Sequence, residues 1–123
     1  MSTHCGIAIK TEEGYNTIYC HHDGYPSYMR DMLTTNYNSE ELATKLVSLG
    51  DASSIREKLE PTTPAHSFDN PERDVCIFYG RDRGESDTEP YCYSKKELFN
   101  NYYFVYIFEN DYWVCYEGGK RVS

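Results

Sequence analysis

"YYFVYIFENDYWVCYE", residues 102–117, is the stretch whose reading decides the fold. Two runs rich in aromatic and β-branched residues flank "ENDY", and such residues suit the pleated surface of a sheet. Asn110-Asp111 fits a two-residue type I′ turn, whose two central positions need positive φ. The turn then fixes the register. Phe108 faces Trp113, Ile107 faces Val114 and Tyr106 faces Cys115. Both faces of this hairpin are apolar or aromatic. One has helices to meet, and the other needs cover from loops, a second copy of the chain or a partner. A homodimer through this aromatic C-terminal hairpin is therefore one expectation.

Upstream, "CGIAIK" (5–10) alternates, with Cys5, Ile7 and Ile9 on one face. "TEEG" turns the chain, and "NTIYCH" (16–21) returns as a second strand. "DGYP" reads as a turn, with Pro26 at the first position of a helix running to about Tyr37. Asn38 followed by Glu41 is a capping pattern that opens a second helix, closed by Gly50. "SSIREKL" (53–59) reads as a short third helix, and "EPTTPAHSFDNPERD" (60–74) as a proline-punctuated loop. "VCIFYGR" (75–81) reads as a third strand, "DRGESDTEP" (82–90) as an acidic loop, "YCY" (91–93) as a short edge strand and "SKKELFNN" (94–101) as a helical turn capped by Ser94. The order predicts an α+β domain spanning residues 1–123. It consists of an antiparallel sheet of about five strands with two or three helices packed on one face.

The composition narrows the function. A chain of 123 residues can bury one core without staples. A formal net charge of −8 argues against direct nucleic acid binding, which needs a basic surface, and suits a partner that has one. No apolar run approaches the ~20 residues of a membrane span, and the N-terminus is too polar for a signal peptide, so no membrane association is expected. The five cysteines include no C-x-x-C pair, and they read as reduced thiols of a cytoplasmic protein with no metal and no cofactor. The 13 tyrosines are more than one small core can hold with every hydroxyl satisfied, so some belong on the surface.

Two spots are chemically dense. In "YCHHDGYPSYM" (19–29), consecutive histidines point to opposite faces of a strand, so His21 and His22 cannot join one regular metal site. His22 and Asp23 would need a third ligand such as His4 or His66. The bland reading is a structural corner in which Asp23-Gly24 makes the turn. Gly24 would adopt a conformation that a Cβ resists, and Asp23 would accept N–H groups at the helix start. In "YGRDRGE" (79–85), Arg81 and Arg83 flank Asp82. Two arginines at a strand end can bind phosphate, although a surface salt-bridge cluster is the bland reading. With the third strand beside the first hairpin, His22, Asp23, Tyr25, Arg81 and Arg83 would line one pocket for a phosphate-bearing nucleotide. A Cys20–His22 pair lacks an orienting group, and phosphate-loop and dinucleotide motifs are missing, so the chain reads as a non-enzyme.

"MSTHCGIAIK", "IYCHHDGYPSYM", "LVSLGDASSI" and "HSFDNPERDVCIFYGRDRGE" together resemble a family of small proteins encoded by bacteriophages and prophages. His22 departs from the family pattern, where many relatives carry an aromatic residue. The resemblance implies a phage accessory protein acting in the host cell. It carries no assigned site. Small acidic proteins in that setting resemble inhibitors of bacterial immunity, anti-CRISPR proteins among them, whose carboxylates stand in for phosphates. The implied partner is a host immune effector with a basic nucleic-acid-binding surface. The expected contact residues are Glu85, Asp87 and Glu89 of the acidic loop and Glu109, Asp111 and Tyr112 of the last hairpin. Glu12, Glu13, Glu40 and Glu41 are further solvent-facing acids. A housekeeping virion or replication component is a third reading.

Overall fold

The computed structural model describes residues 3–122, so the first two positions of the opening "MST" lie outside the described residues. Strands β1 (Cys5–Thr11) and β2 (Gly14–Cys20) form the first hairpin, with Cys5 opposite Cys20 and Thr11 opposite Gly14. Helices α1 (Pro26–Asn36) and α2 (Glu40–Ser48) follow. Pro26 occupies the first turn of α1, where its missing N–H costs nothing. Ser39, one residue after the expected Asn38, caps α2 by accepting the Leu42 N–H at 3.1 Å. Gly50 ends that helix at φ 86° and donates its N–H to Val47 O.

The rest of the chain corrects several expectations. Residues 53–59 are not a helix. Ala52–Ser54 is strand β3, entirely buried, and Ile55 after it is also core. Of 75–81, only Ile77–Phe78 is a strand, β4. The chain then bends into the short helix α3 (Tyr79–Arg83), whose start is held by the Asp82 carboxylate accepting the Phe78 N–H at 2.8 Å. Strand β5 (Tyr91–Tyr93), helix α4 (Lys95–Asn101) and the strands β6 (Phe104–Glu109) and β7 (Tyr112–Glu117) match the sequence reading. Ser94 and Glu97 form a reciprocal capping box at the start of α4. In the last hairpin Asn110 and Asp111 sit at φ 56° and 68°, and the predicted register holds at all three pairs. A two-residue strand β8 (Lys120–Arg121) completes the chain.

The sheet is larger than expected and mixed. Its order is β4-β3-β2-β1-β6-β7-β8, with β5 sharing the β3 edge of β2, which makes eight strands. Two pairings are parallel, β1 with β6 and β2 with β3. Helices lie on both faces rather than one. Beneath α1 and α2, Cys5, Ile7, Ile18, Cys20, Tyr106, Phe108, Trp113 and Cys115 form the main core with Met29, Leu33 and Leu46. On the opposite face Leu98 of α4 seals Ala8, Tyr15, Val105, Ile107, Val114 and Tyr116, with Phe99 and Tyr102 packed alongside. The second face of the C-terminal hairpin is thus covered within the chain. Among the described residues no helix is long and apolar enough to cross a membrane.

The buried tyrosines find backbone acceptors. Tyr106 donates to Gly24 O at 2.7 Å, Tyr37 to Arg56 O at 2.6 Å and Tyr28 to Ile55 O at 2.8 Å. Each hydroxyl ties a loop to the core, and burial pushes all three above the ordinary tyrosine range. Tyr25, Tyr91, Tyr103 and Tyr112 are exposed. None of the five cysteines, all of them among the described residues, is in a disulfide; four are buried and Cys92 is exposed.

Candidate functional site

The 21–25 corner is built as a joint between strand and helix. His21 and His22 donate their N–H groups to Ala52 O and Ser53 O, which continues the parallel pairing of β2 with β3. Asp23 takes the left-handed conformation at φ 60°, so the turn residue with positive φ is Asp23 and not Gly24. Gly24 is needed for a different reason. A Cβ there would lie 2.8 Å from the Cys5 Cβ and the His4 carbonyl carbon. The Gly24 N–H also donates to Thr3 O, and its own carbonyl accepts the Tyr106 hydroxyl. Asp23 does not cap α1. Tyr25 occupies the cap position without a side-chain bond, and among the described residues the Asp23 carboxylate accepts only the Tyr25 hydroxyl, at 3.5 Å.

The two halves of the expected nucleotide pocket stand apart. β3 lies between β2 and β4, so about two strand spacings, or ~10 Å, separate their lines. β3 runs parallel to β2 and antiparallel to β4, so α3 leaves toward the end of the sheet opposite the corner. No hydrogen bond, ion pair or ring contact among the described residues joins His22, Asp23 or Tyr25 to Arg81 or Arg83.

Arg81 instead anchors the irregular 56–76 segment. Its guanidinium donates to Leu59 O at 2.7 Å, to Cys76 O at 2.9 Å and to both oxygens of Asp82. His66, its side chain buried, receives the Glu72 N–H on Nδ1 at 2.9 Å. The ring proton therefore sits on Nε2, which faces Asp82 Oδ1 at 3.2 Å without good hydrogen-bond alignment. Glu72 closes the same segment by accepting from the Thr62 hydroxyl and the Thr62 and Thr63 N–H groups, and these bonds hold it below the usual carboxylate range. Burial raises the Asp82 pKa. The Arg81 hydrogen bonds, the Phe78 N–H and the Arg81 charge outweigh that and hold the carboxyl below its ordinary value. Arg83 lies 4.5 Å from the centre of the Phe68 ring and 5.5 Å from that of Tyr79, two rings that contact each other, and pairs with Glu85 at 2.8 Å. Each of these partners has a structural task. Sequence reasoning treated His66 only as a spare ligand, because nothing local tells that residues 66, 72 and 82 meet.

The acidic residues fall at the two ends of α2. At its C-terminal end the 84–90 loop docks tightly. Asp51 donates its N–H to Thr88 O at 2.8 Å, and Gly50 approaches the same carbonyl so closely that a Cβ would lie 2.3 Å from it. This brings Glu89 near Asp51, whose pKa is raised by burial and, to a lesser extent, by the Glu89 charge. Glu85, Asp87 and Glu89 are exposed around that joint. At the N-terminal end, Glu40, Glu109 and Asp111 border a cleft of about 230 Å³ together with Ile9, Lys10, Phe108 and Asn110. Tyr112, across the register from Glu109, is exposed beside it. None of Glu40, Glu109 and Asp111 has a cation within ion-pairing distance among the described residues, whereas Asp82 and Glu85 do. Glu40 is the addition that sequence alone did not make. It is one of many surface acids until the fold sets α2 against the hairpin tip.

Among the described residues no group of three or more His, Cys, Asp or Glu side chains is placed to hold a metal ion. No protein-family model, curated protein or solved structure matches the chain.

Proposed function

We propose that the protein is a non-enzymatic inhibitor that docks on the basic, nucleic-acid-binding surface of a bacterial immune effector. The observation that carries this reading is the placement of the acids. Two clusters far apart in sequence, Glu85/Asp87/Glu89 and Glu40/Glu109/Asp111, stand at opposite ends of α2. From Glu40 to Gly50 the axis rises about 15 Å. That is of the order of the ~12 Å groove width across which a duplex presents its phosphate rows. A surface evolved to grip phosphates would meet carboxylates at a familiar spacing. The exposed Tyr112 adds apolar contact area next to one cluster.

The setting comes from the resemblance to phage-encoded proteins, and it chooses the test. The chain is expressed in bacteria whose RNA-guided immune system destroys an incoming plasmid, and plasmid establishment is counted. Rescue is expected with the native chain. It is expected to disappear when Glu40, Glu109 and Asp111 are replaced together by Gln, Gln and Asn, with the melting temperature retained. A folded, abundant chain that rescues no plasmid from any RNA-guided system tested would overturn the reading.

A further inference from the structure

We propose that Cys5 and Cys20 are a redox pair, closed to a cross-strand disulfide by peroxide and reopened by a dithiol. They are the first residue of β1 and the last of β2, directly opposite each other in the register. Both belong to the core beneath α1 and α2, so their side chains leave the sheet on the same face. The pair is of the hydrogen-bonded kind. Thr11 and Gly14 close the two-residue turn, and every second pair away from it repeats their type. Facing Cα atoms in such a pair lie ~5.5 Å apart, inside the ~4.4–6.8 Å that a disulfide spans.

The fold keeps the other thiols out of reach of this pair. Cys115 lies on β7, with β6 between it and β1, and Cys76 directly precedes β4, with β3 between it and β2. Two strand spacings make ~10 Å, beyond the ~7 Å limit for bridging. Cys92 pairs with Asn16, four residues along β2 from Cys20, or ~13 Å. The link would be strained. Cβ atoms of a hydrogen-bonded pair stand toward the far end of ~4.5–5.5 Å, whereas a disulfide prefers ~3.5–4.5 Å. Strained disulfides are the easily reduced ones, which makes this a reversible link rather than a permanent staple.

The chemistry balances with hydrogen peroxide as oxidant. One thiol takes an oxygen from peroxide to become a sulfenic acid, releasing water. The second sulfur then displaces that oxygen as another water, and two electrons have passed from the sulfurs to peroxide. Burial pushes the Cys5 thiol up and the neighbouring Cys20 thiol adds to the shift, so the first step is slow. Peroxide is small enough to reach a thiol that bulkier labelling reagents do not.

The folded full-length chain carrying Cys92→Ser is held in hydrogen peroxide over a time course, quenched with an alkylating agent and digested without reductant. A peptide joining Cys5 to Cys20 is expected, with the amide spectrum of the rest of the sheet retained. Dithiothreitol without denaturant should restore both thiols. Cys20→Ala should give no intramolecular link, and the native chain, mapped in parallel, keeps the result readable if that variant misfolds. No linked peptide, a link through Cys76 or Cys115, loss of the native spectrum on closure, or a link that dithiothreitol leaves intact would each overturn the proposal. It stands apart from the function proposed above, whose test changes only acidic residues.

Discussion

Gly24 and Tyr106 meet at one carbonyl, and each can be tested by a single atom or methyl group. Gly24→Ala places a Cβ against the β1 backbone rather than against a flexible side chain. Overpacking of that kind costs about 1–3 kcal/mol, read as a lower midpoint of denaturant unfolding. Tyr106→Phe leaves Gly24 O buried without its donor, at a cost of about 1–3 kcal/mol. Because the two changes act on one joint, the double variant should lose less than the sum. The charge of Asp82 is tied into the fold by Arg81 and the Phe78 N–H. Its carboxyl is held below its ordinary value in the folded state. The stability it contributes is therefore complete above the unfolded value of about 3.9 and is lost as pH falls through the depressed folded value. Asp82→Asn should be less stable at neutral pH, and its loss of stability with acid should be shallower than that of the native chain. A parallel decline of the two would contradict this role.

At the scale of elements, the last hairpin was legible because everything that specifies it is local. Alternation, β-branched and aromatic content and a two-residue turn fix its register without help from the rest of the chain. The same holds for the first hairpin, for Pro26 at the start of α1 and for the Ser94 box. What could not be read were the distant pairings. Ala52–Ser54 carries nothing strand-like in isolation and becomes a strand because β2 and β4 offer it partners on both sides. Residues 79–83 follow the apolar run 75–78 directly yet turn helical, where Asp82 reaches back to the Phe78 N–H. The candidate site followed the same pattern. Glu109, Asp111 and Tyr112 were identifiable from their turn, while Glu40 required knowing where α2 docks. One consequence concerns Asp111. Glycine is the better second residue of a type I′ turn, and Asp111 holds φ 68° against its own preference. Asp111→Gly should raise stability by about 0.5–1 kcal/mol, read as a higher midpoint in a thermal melt; an unchanged or lower midpoint would contradict the strain.

For the whole molecule, the thiols report how closed the fold is. In the native protein a thiol reagent should label Cys92 alone at an appreciable rate, with the other four reacting only after denaturation. Fast native labelling of a second cysteine would mean that the sheet opens locally. Charge gives the complementary reading. Under the proposed function, with surface carboxylates making the contact, a chain of net charge −8 should lose affinity for its partner steeply between low and physiological salt. An affinity indifferent to salt would instead place the contact on exposed tyrosines.

The parallel pairing of β1 with β6 also has a meaning in time. Ile7 lies opposite Tyr106, 99 residues later in the chain. At ~5–20 residues per second a ribosome takes about 5–20 s to make that stretch. Throughout that interval the first hairpin waits with one long edge open and its apolar face without the neighbour that completes it. The nascent chain is most prone to self-association just before its last hairpin emerges. Slow codons placed late in the message would lengthen that exposure, and the amount of protein recovered in the soluble fraction should fall accordingly.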